Sequence, residues 1–147
     1  MKGDIAYKNI LVPIDETEMA KRVIDHALHV AKLDKASLVL MHVSRKKMIE
    51  SVFPKELSQK MLEITSKSID STLEYGKSSA EMVGIPLETI VLTGDDIGDD
   101  IIRIALERNI NLTVMGSESL RTNPLGSLAR RLIAANIGPV LVITNED

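Results

Sequence analysis

Two glycines and a serine in the last third of the chain have the residue types and spacing of an anion-binding loop. Gly116 ends a short apolar run, and Gly126 and Ser127 precede apolar residues at helical spacing. Glycines let backbone N–H groups approach an anion closely, and the first turn of a helix presents unpaired N–H groups with the positive end of its dipole. The serine hydroxyl adds a further donor. We therefore predict a ligand-binding loop between Gly116 and Ser127, at the carboxyl end of a strand.

Carboxylates stand at two other predicted turns. Asp15 follows the apolar run Asn9–Ile14, where it can accept hydrogen bonds from a ligand or from the turn that comes after it. The sequence DDIGDD at residues 95–100 lacks the alternating ligands and the distal glutamate of a calcium loop. Because the helix dipole favours carboxylates in a first turn, we interpret this second group as the start of a helix.

The histidines do not form a recognisable catalytic or metal-binding set. His26 and His29 share one face of a predicted helix, but no third histidine is placed beside them. His42 lies in a predicted strand near the ligand-binding edge of the sheet and has no assigned role. The sequence contains no cysteine, which excludes disulfides, thiol catalysis and thiolate metal ligands. We therefore predict no catalytic residue and no metal ligand.

The order of apolar runs predicts the elements that position these residues. Five short apolar runs alternate with four stretches of helical periodicity. This alternation is typical of a parallel sheet with right-handed crossovers. We predict the α/β class, a doubly wound five-stranded parallel sheet with helices on both faces, formed by residues 1–147 as a single domain. The predicted strands are Asn9–Ile14, Ser37–Val43, Leu87–Leu92, Leu112–Met115 and Pro139–Ile143.

Local signals mark the ends of the predicted helices. Thr17 is the expected N-cap of the first helix, and Gly84 is the expected left-handed cap of a long helix that starts near Leu57. A third helix is predicted over Ile97–Arg108, and a fourth follows the second glycine of the loop. The segment Ser44–Pro54 is expected to be a loop of mixed charge.

Composition excludes several classes of function. The chain has 147 residues, 44% of them apolar, which suits one well-buried domain. One Phe, two Tyr and no Trp leave few aromatic side chains on which nucleic-acid bases could stack, and a formal net charge of −3 also disfavours nucleic acid. No apolar run approaches the roughly 20 residues of a membrane helix. We expect a cytoplasmic protein that binds neither nucleic acid nor membrane.

Five short motifs, in the same order along the chain, resemble those of the universal stress proteins. They are NILVPIDETE at residues 9–18, LVLMHVS at residues 38–44, VMGS at residues 114–117, LGS at residues 125–127 and GPVLVI at residues 138–143. The resemblance runs along the whole chain and implies the family's strand order, 3-2-1-4-5. In that order strands one and four lie side by side, and a crevice opens between Asp15 and Gly116 where the winding reverses.

The same resemblance implies a stress-response protein that binds an adenine nucleotide, either ATP, ADP or AMP, with or without Mg²⁺. Asp15 then lies beside the nucleoside and accepts hydrogen bonds from ribose hydroxyls, while Pro13, Ile14 and Val43 line the adenine side. The phosphates lie at the glycine loop. The full set of predicted nucleotide-binding residues is Pro13, Ile14, Asp15, Val43, Met115, Gly116, Gly126, Ser127 and Leu128.

The loop departs from the phosphate-binding pattern of the family, which is Gly, two residues, Gly, nine residues, Gly, then Ser or Thr. Gly116, Gly126 and Ser127 match this pattern. Ser119 takes the place of the second glycine, and only six residues separate it from Gly126. Pro124 within this spacer donates no N–H. We therefore predict a degenerate phosphate loop.

Two alternatives stay open. One is a family member that binds no nucleotide and acts as a dimeric interaction module. The other is a slow ATP hydrolase, for which Asp15 is the only candidate base. In each case the resemblance implies a homodimer paired through the last strand, Val140–Ile143. A bare apolar edge strand invites pairing with another chain, so burying it against its own copy across a two-fold axis is physically sensible.

Overall fold

A five-stranded parallel sheet forms the centre of the computed structural model, which describes residues 4–117 and 127–144. The strands are β1 (Asn9–Pro13), β2 (Ser37–Ser44), β3 (Leu87–Thr93), β4 (Leu112–Gly116) and β5 (Val140–Ile143). The helices are α1 (Met19–Asp34), α2 (Lys46–Val52), α3 (Lys55–Val83), α4 (Ile97–Glu107) and α5 (Ser127–Ala134). The strand order β3-β2-β1-β4-β5, with all pairings parallel, confirms the predicted fold.

β1 is the central strand of this sheet. Its residues Ile10, Leu11 and Val12 have no exposed surface. Leu11 pairs with Val39 of β2 on one side and with Thr113 of β4 on the other. The chain winds outwards from β1 in both directions, so the carboxyl ends of β1 and β4 meet at the switch point of the sheet.

Helices cover both faces of the sheet and form two separate cores. α1 and α3 pack against one face, which includes Ile10 and Leu40. α4 and α5 pack against the other face, which includes Leu11, Met41 and Met115. Because side chains alternate between the two faces along a strand, a central strand covered on both sides must be apolar at successive positions. This explains the unbroken apolar runs of the sequence.

The expectation that Ser44–Pro54 is a loop is wrong, because this segment contains α2. None of the α2 residues is buried. A helix without a buried apolar stripe has no periodicity from which it could be predicted. Phe53 ends α2 in extended backbone directly before Pro54, as expected for a residue that precedes proline.

The ends of the other helices agree with the predictions except at Thr17. Gly84 ends α3 in the left-handed conformation, with φ of +70°. Thr17 does not cap α1, since the N-cap is Glu18, which makes no side-chain capping hydrogen bond. Thr17 donates its hydrogen bonds to Asp15 instead. Within residues 4–117 and 127–144, no helix is long and apolar enough to cross a membrane.

Gly76 allows α3 to approach the sheet closely. It is buried in the middle of the helix, and a Cβ at this position would overlap Leu40 Cδ1 and lie 3.6 Å from Ile24 Cδ1. The contact joins α3 both to β2 and to α1, so the packing of this face depends on a residue without a side chain at position 76.

Replacing Gly76 with valine is expected to lower the free energy of unfolding by about 1–3 kcal/mol, because the added methyl groups overpack the core. Urea denaturation would measure the change. Ser78→Val, at an exposed position of the same helix, is the matched control and should change the free energy by less than about 0.5 kcal/mol. Equal effects of the two variants would show that Leu40 moves aside without cost.

Candidate functional site

A cavity of about 530 Å³ opens at the carboxyl ends of β1, β2 and β4. This volume lies within the range of about 300–1,000 Å³ that is typical of small-molecule sites. Seven of the nine predicted nucleotide-binding residues line it, namely Pro13, Ile14, Asp15, Val43, Met115, Gly116 and Leu128. The structure therefore brings together residues from the start, the middle and the end of the chain at the switch point of the sheet.

The predicted anion-binding loop is described only at its two ends. Gly116 is the last residue of β4, and Ser127 is the first residue of α5. Gly126 lies outside the described residues, together with the rest of residues 118–126. Contact between this loop and an anion stays a prediction.

Asp15 is held in place by the turn that follows β1. Its Oδ1 accepts hydrogen bonds from the backbone N–H of Thr17 at 3.0 Å and from Thr17 Oγ1 at 2.6 Å. The backbone N–H of Ile14 donates to the carbonyl oxygen of Met41 at 2.9 Å, which anchors the turn to the end of β2. Neither bond from Thr17 involves Asp15 Oδ2, so that oxygen can accept a hydrogen bond from a hydroxyl group in the cavity.

Gly116 has a packing role in addition to its place in the cavity wall. A Cβ at this position would lie 3.2 Å from Val23 Cγ2 and 3.4 Å from Met19 Sδ, both on α1. The N–H of Ser117 donates to the carbonyl oxygen of Ile143 at 3.0 Å, so the pairing of β4 with β5 continues past the glycine. The close approach of α1 accounts for a glycine here whether or not a ligand binds.

A cluster of one guanidinium group and two carboxylates joins α5 to the start of α4 at the cavity. Arg131 Nη1 donates to Asp96 Oδ1 at 2.5 Å, and Arg131 Nη2 donates to Asp99 Oδ1. Asp96 is also the N-cap of α4, where it accepts the Asp99 N–H at 3.0 Å. The interpretation of DDIGDD as a helix start is thus confirmed. The pairing with Arg131 is new, since no sequence motif connects these positions.

The charges of this cluster are mutually stabilised. The pKa of Asp96 lies below its ordinary value because the carboxylate accepts the Asp99 N–H and, in addition, binds Arg131. The pKa of Arg131 is raised, chiefly by its hydrogen bond to Asp96. Both groups therefore carry full charges at neutral pH.

His42 is a buried titratable residue at the same cavity, and the sequence alone assigned it no role. Only 6% of its surface is exposed, and it contributes to the cavity wall. Burial lowers the pKa of the imidazole below its ordinary value of 6.5, and the nearby carboxylates of Glu16 and Asp15 partly oppose this shift. At neutral pH the imidazole is uncharged and offers one donor and one acceptor nitrogen.

Carboxylates outnumber guanidinium groups in the described wall of the cavity. The carboxylates are those of Asp15, Glu16, Asp95 and Asp96, and the guanidinium groups are those of Arg45 and Arg131. Over residues 4–117 and 127–144, no group of three or more His, Cys, Asp or Glu side chains is arranged to hold a metal ion. The described wall therefore combines apolar surface with more carboxylates than guanidinium groups.

Known proteins match this chain along nearly its full length. The model of the universal stress protein family matches residues 6–144. Universal stress protein YxiE of Bacillus subtilis is 27% identical over an alignment of 147 positions, which covers 93% of this chain and 99% of that protein. The solved structure of MJ0577 from Methanocaldococcus jannaschii has a TM-score of 0.76 and 27% identity, and covers 97% of this chain and 99% of its own.

Solved structures with this fold include complexes with adenine nucleotides. The universal stress protein of Archaeoglobus fulgidus in complex with dAMP is 23% identical, with a TM-score of 0.66, and covers 95% of this chain and 99% of its own. A universal stress protein in complex with cAMP is 22% identical, with a TM-score of 0.67, and a family member from Arabidopsis thaliana with AMP bound is 18% identical, with a TM-score of 0.68. At these identities the likeness shows a shared fold, and the nucleotides are those of the other proteins.

The burial of His42 is expected to make stability depend on pH. The folded protein keeps His42 neutral below the ordinary pKa of 6.5, whereas the unfolded chain takes up the proton there. The stability that the folded protein gains from the neutral His42 is therefore complete above pH 6.5. It falls as the pH decreases below that value, and it stops falling once the pH has passed below the pKa of His42 in the folded protein.

Thermal denaturation between about pH 7.5 and about pH 5.5 would measure this loss of stability. His42→Gln should show a smaller loss than the unmodified protein. His29→Gln, at an exposed position, is the control and should retain the full loss. An undiminished loss in His42→Gln would show that other groups cause it.

Proposed function

Because the chain belongs to the universal stress protein family, we propose that it binds a small adenine nucleotide in the cavity at the switch point of its sheet. One observation carries the proposal: the cavity places the Asp15 carboxylate beside apolar walls at the edge where open parallel sheets bind ligands. The complexes of dAMP, cAMP and AMP with proteins of this fold support the choice of ligand.

The wall suits a base and a sugar. Pro13, Ile14, Val43 and Met115 offer apolar surface to the faces of a purine ring, and sites of this kind fix a ligand's orientation with few polar groups. Asp15 Oδ2 can accept a hydrogen bond from a ribose hydroxyl. A hydrogen bond to a charged acceptor contributes about 1.5–3 kcal/mol, enough to favour one orientation of the sugar.

The phosphate end of the ligand is assigned to the loop that starts at Gly116 and ends at Ser127. Ser119 in place of glycine and the shortened spacer make this loop a degenerate form of the family pattern. ATP, ADP and AMP are all candidate ligands. Binding with Mg²⁺ and binding without it are both open, slow hydrolysis of ATP stays an alternative function, and a cytoplasmic location stays a prediction.

Adenosine and AMP are expected to raise the melting midpoint of the purified protein in a concentration-dependent manner, because a ligand that binds only the folded state stabilises it. Asp15→Asn should weaken adenosine binding by about 10-fold to 100-fold in calorimetric titration, since the amide replaces an acceptor oxygen with a donor. The amide keeps an oxygen for Thr17, so the turn should be preserved.

Glu18→Gln is the control for this experiment. Glu18 is exposed and lies outside the cavity wall, so the same loss of one charge should leave the affinity unchanged. If adenosine, AMP, ADP and ATP all fail to move the midpoint at high concentration, the nucleotide proposal is wrong. The interaction module that binds no nucleotide would then replace it.

We also propose that the protein forms a homodimer through β5. This strand lies at one edge of the sheet and is entirely apolar. Leu141 in β5 is 38% exposed, and Ile133 in the adjacent α5 is 50% exposed. The opposite edge strand, β3, carries Glu88, which is paired with Arg108 at 3.0 Å. Charged side chains on an edge strand discourage pairing, whereas a bare apolar edge favours it.

Leu141→Lys is expected to convert the dimer into a monomer, because the two-fold axis would bring the added charge close to its own copy. Size-exclusion chromatography with light scattering would measure the mass. Val91→Lys is the matched control, since Val91 is 58% exposed on the opposite edge strand, and this variant should stay dimeric. A monomeric unmodified protein, or equal dissociation of both variants, would contradict the assignment of the interface to β5.

A further inference from the structure

We infer that Asp96, Asp99 and Arg131 make the cavity selective for adenine ligands of low negative charge. Adenosine and AMP then bind more tightly than ATP free of Mg²⁺. This inference rests on the proposed adenine site. It names the residues that determine how much negative charge a ligand of that site can carry.

Arg131 is one of the two guanidinium groups in the described wall that could bind a phosphate chain, and it is already paired with carboxylates. Its Nη1 donates to Asp96 at 2.5 Å, and its Nη2 donates to Asp99. The side chain lies against Gly98, where a Cβ would be 2.8 Å from Arg131 Cδ. The bonds to Asp96 and Asp99 use two of the five N–H donors of the guanidinium group. A phosphate bound through the remaining donors would lie beside both carboxylates and would be repelled by their negative charge.

The start of α4, which could otherwise bind an anion, is also occupied by the chain's own carboxylates. Asp96 accepts the Asp99 N–H at 3.0 Å, so one of the unpaired donors of the first turn is satisfied. Asp99 and Asp100 both lie in this first turn. Their negative charges compensate the positive end of the helix dipole. This helix end is therefore unfavourable for a phosphate group.

The other described charges of the wall act in the same direction. Once Arg131 is matched with Asp96, three carboxylates remain against one guanidinium group among the described residues, namely Asp15, Glu16 and Asp95 against Arg45. Each further phosphate therefore meets a net negative wall, whereas neutral sugar hydroxyls can donate hydrogen bonds to it.

Calorimetric titration without Mg²⁺ at low ionic strength tests the inference, because salt screens such interactions. In the unmodified protein, ATP should bind about 10-fold more weakly than adenosine. The variant Asp96→Asn/Asp99→Asn should bind ATP about 5-fold more tightly than the unmodified protein, because two negative charges are removed. The gain is no larger because exposed ion pairs of this kind contribute little each. In the single variant Asp99→Asn, at a residue that does not line the cavity, adenosine affinity should change by less than about 2-fold.

The double variant should stay folded, and one single variant and one control variant support the comparison. Asparagine is a good N-cap, so the double variant should keep the start of α4. Asp99→Asn alone leaves the cap residue intact and should show part of the gain for ATP. Asp70→Asn/Glu74→Gln changes the net charge equally at exposed positions of α3 outside the cavity wall. This control should leave the ratio of ATP to adenosine affinity as it is in the unmodified protein.

The outcomes separate this inference from the proposal on which it rests. If adenosine and ATP both bind but ATP binds as tightly as adenosine, the charge selectivity is wrong and the adenine site stands. The same holds if the control on α3 changes the ratio as much as the double variant. If no adenine ligand binds, the adenine site itself is wrong and the selectivity with it.

Discussion

The parallel pairing of β1 with both β2 and β4 is the constraint on which the rest of the structure depends. A strand in this position is covered on both faces and paired on both edges, so Ile10, Leu11 and Val12 are fully buried. The winding of the chain reverses at this strand. The helices that follow β1 and β4, namely α1 and α5, pack on opposite faces of the sheet, and the cavity lies at the carboxyl ends of these two strands. Asp15 lies two residues after the end of β1, which places its carboxylate at this opening.

The parts of the fold that could be predicted from the sequence are those whose burial leaves a pattern. The central strands are apolar at successive positions because helices cover both faces, and Gly84 marks the end of α3 by its left-handed backbone. α2 has no buried residue and leaves no pattern. Thr17 has the side chain of an N-cap, yet Asp15 accepts both of its hydrogen bonds. Strand order does not follow from periodicity, and its prediction rests on the resemblance of the motifs to those of the family.

The candidate site divides in the same way. Its residues at strand ends could be predicted, because they lie within short motifs that place them at the carboxyl edge of the sheet. The pairing of Arg131 with Asp96 and Asp99 joins residues 35 and 32 positions apart, and it depends on how α4 and α5 pack against each other. The role of His42 could not be predicted either. The sequence shows a polar residue within an apolar strand, but it does not show whether a helix covers that residue.

Packing and ligand binding are not competing explanations for the residues of this cavity. Met19 and Val23 lie close to Gly116 from α1, and the same two residues also line the cavity. The contact that stabilises α1 against β4 therefore also shapes the wall. A cavity of this kind follows from the fold, because the carboxyl ends of β1 and β4 lie where the winding of the chain reverses. The charge around the opening depends on the sequence of the individual protein, because the fold does not determine it. In this protein Asp96 both caps α4 and binds Arg131, so a carboxylate of the chain itself already occupies a guanidinium group at the opening.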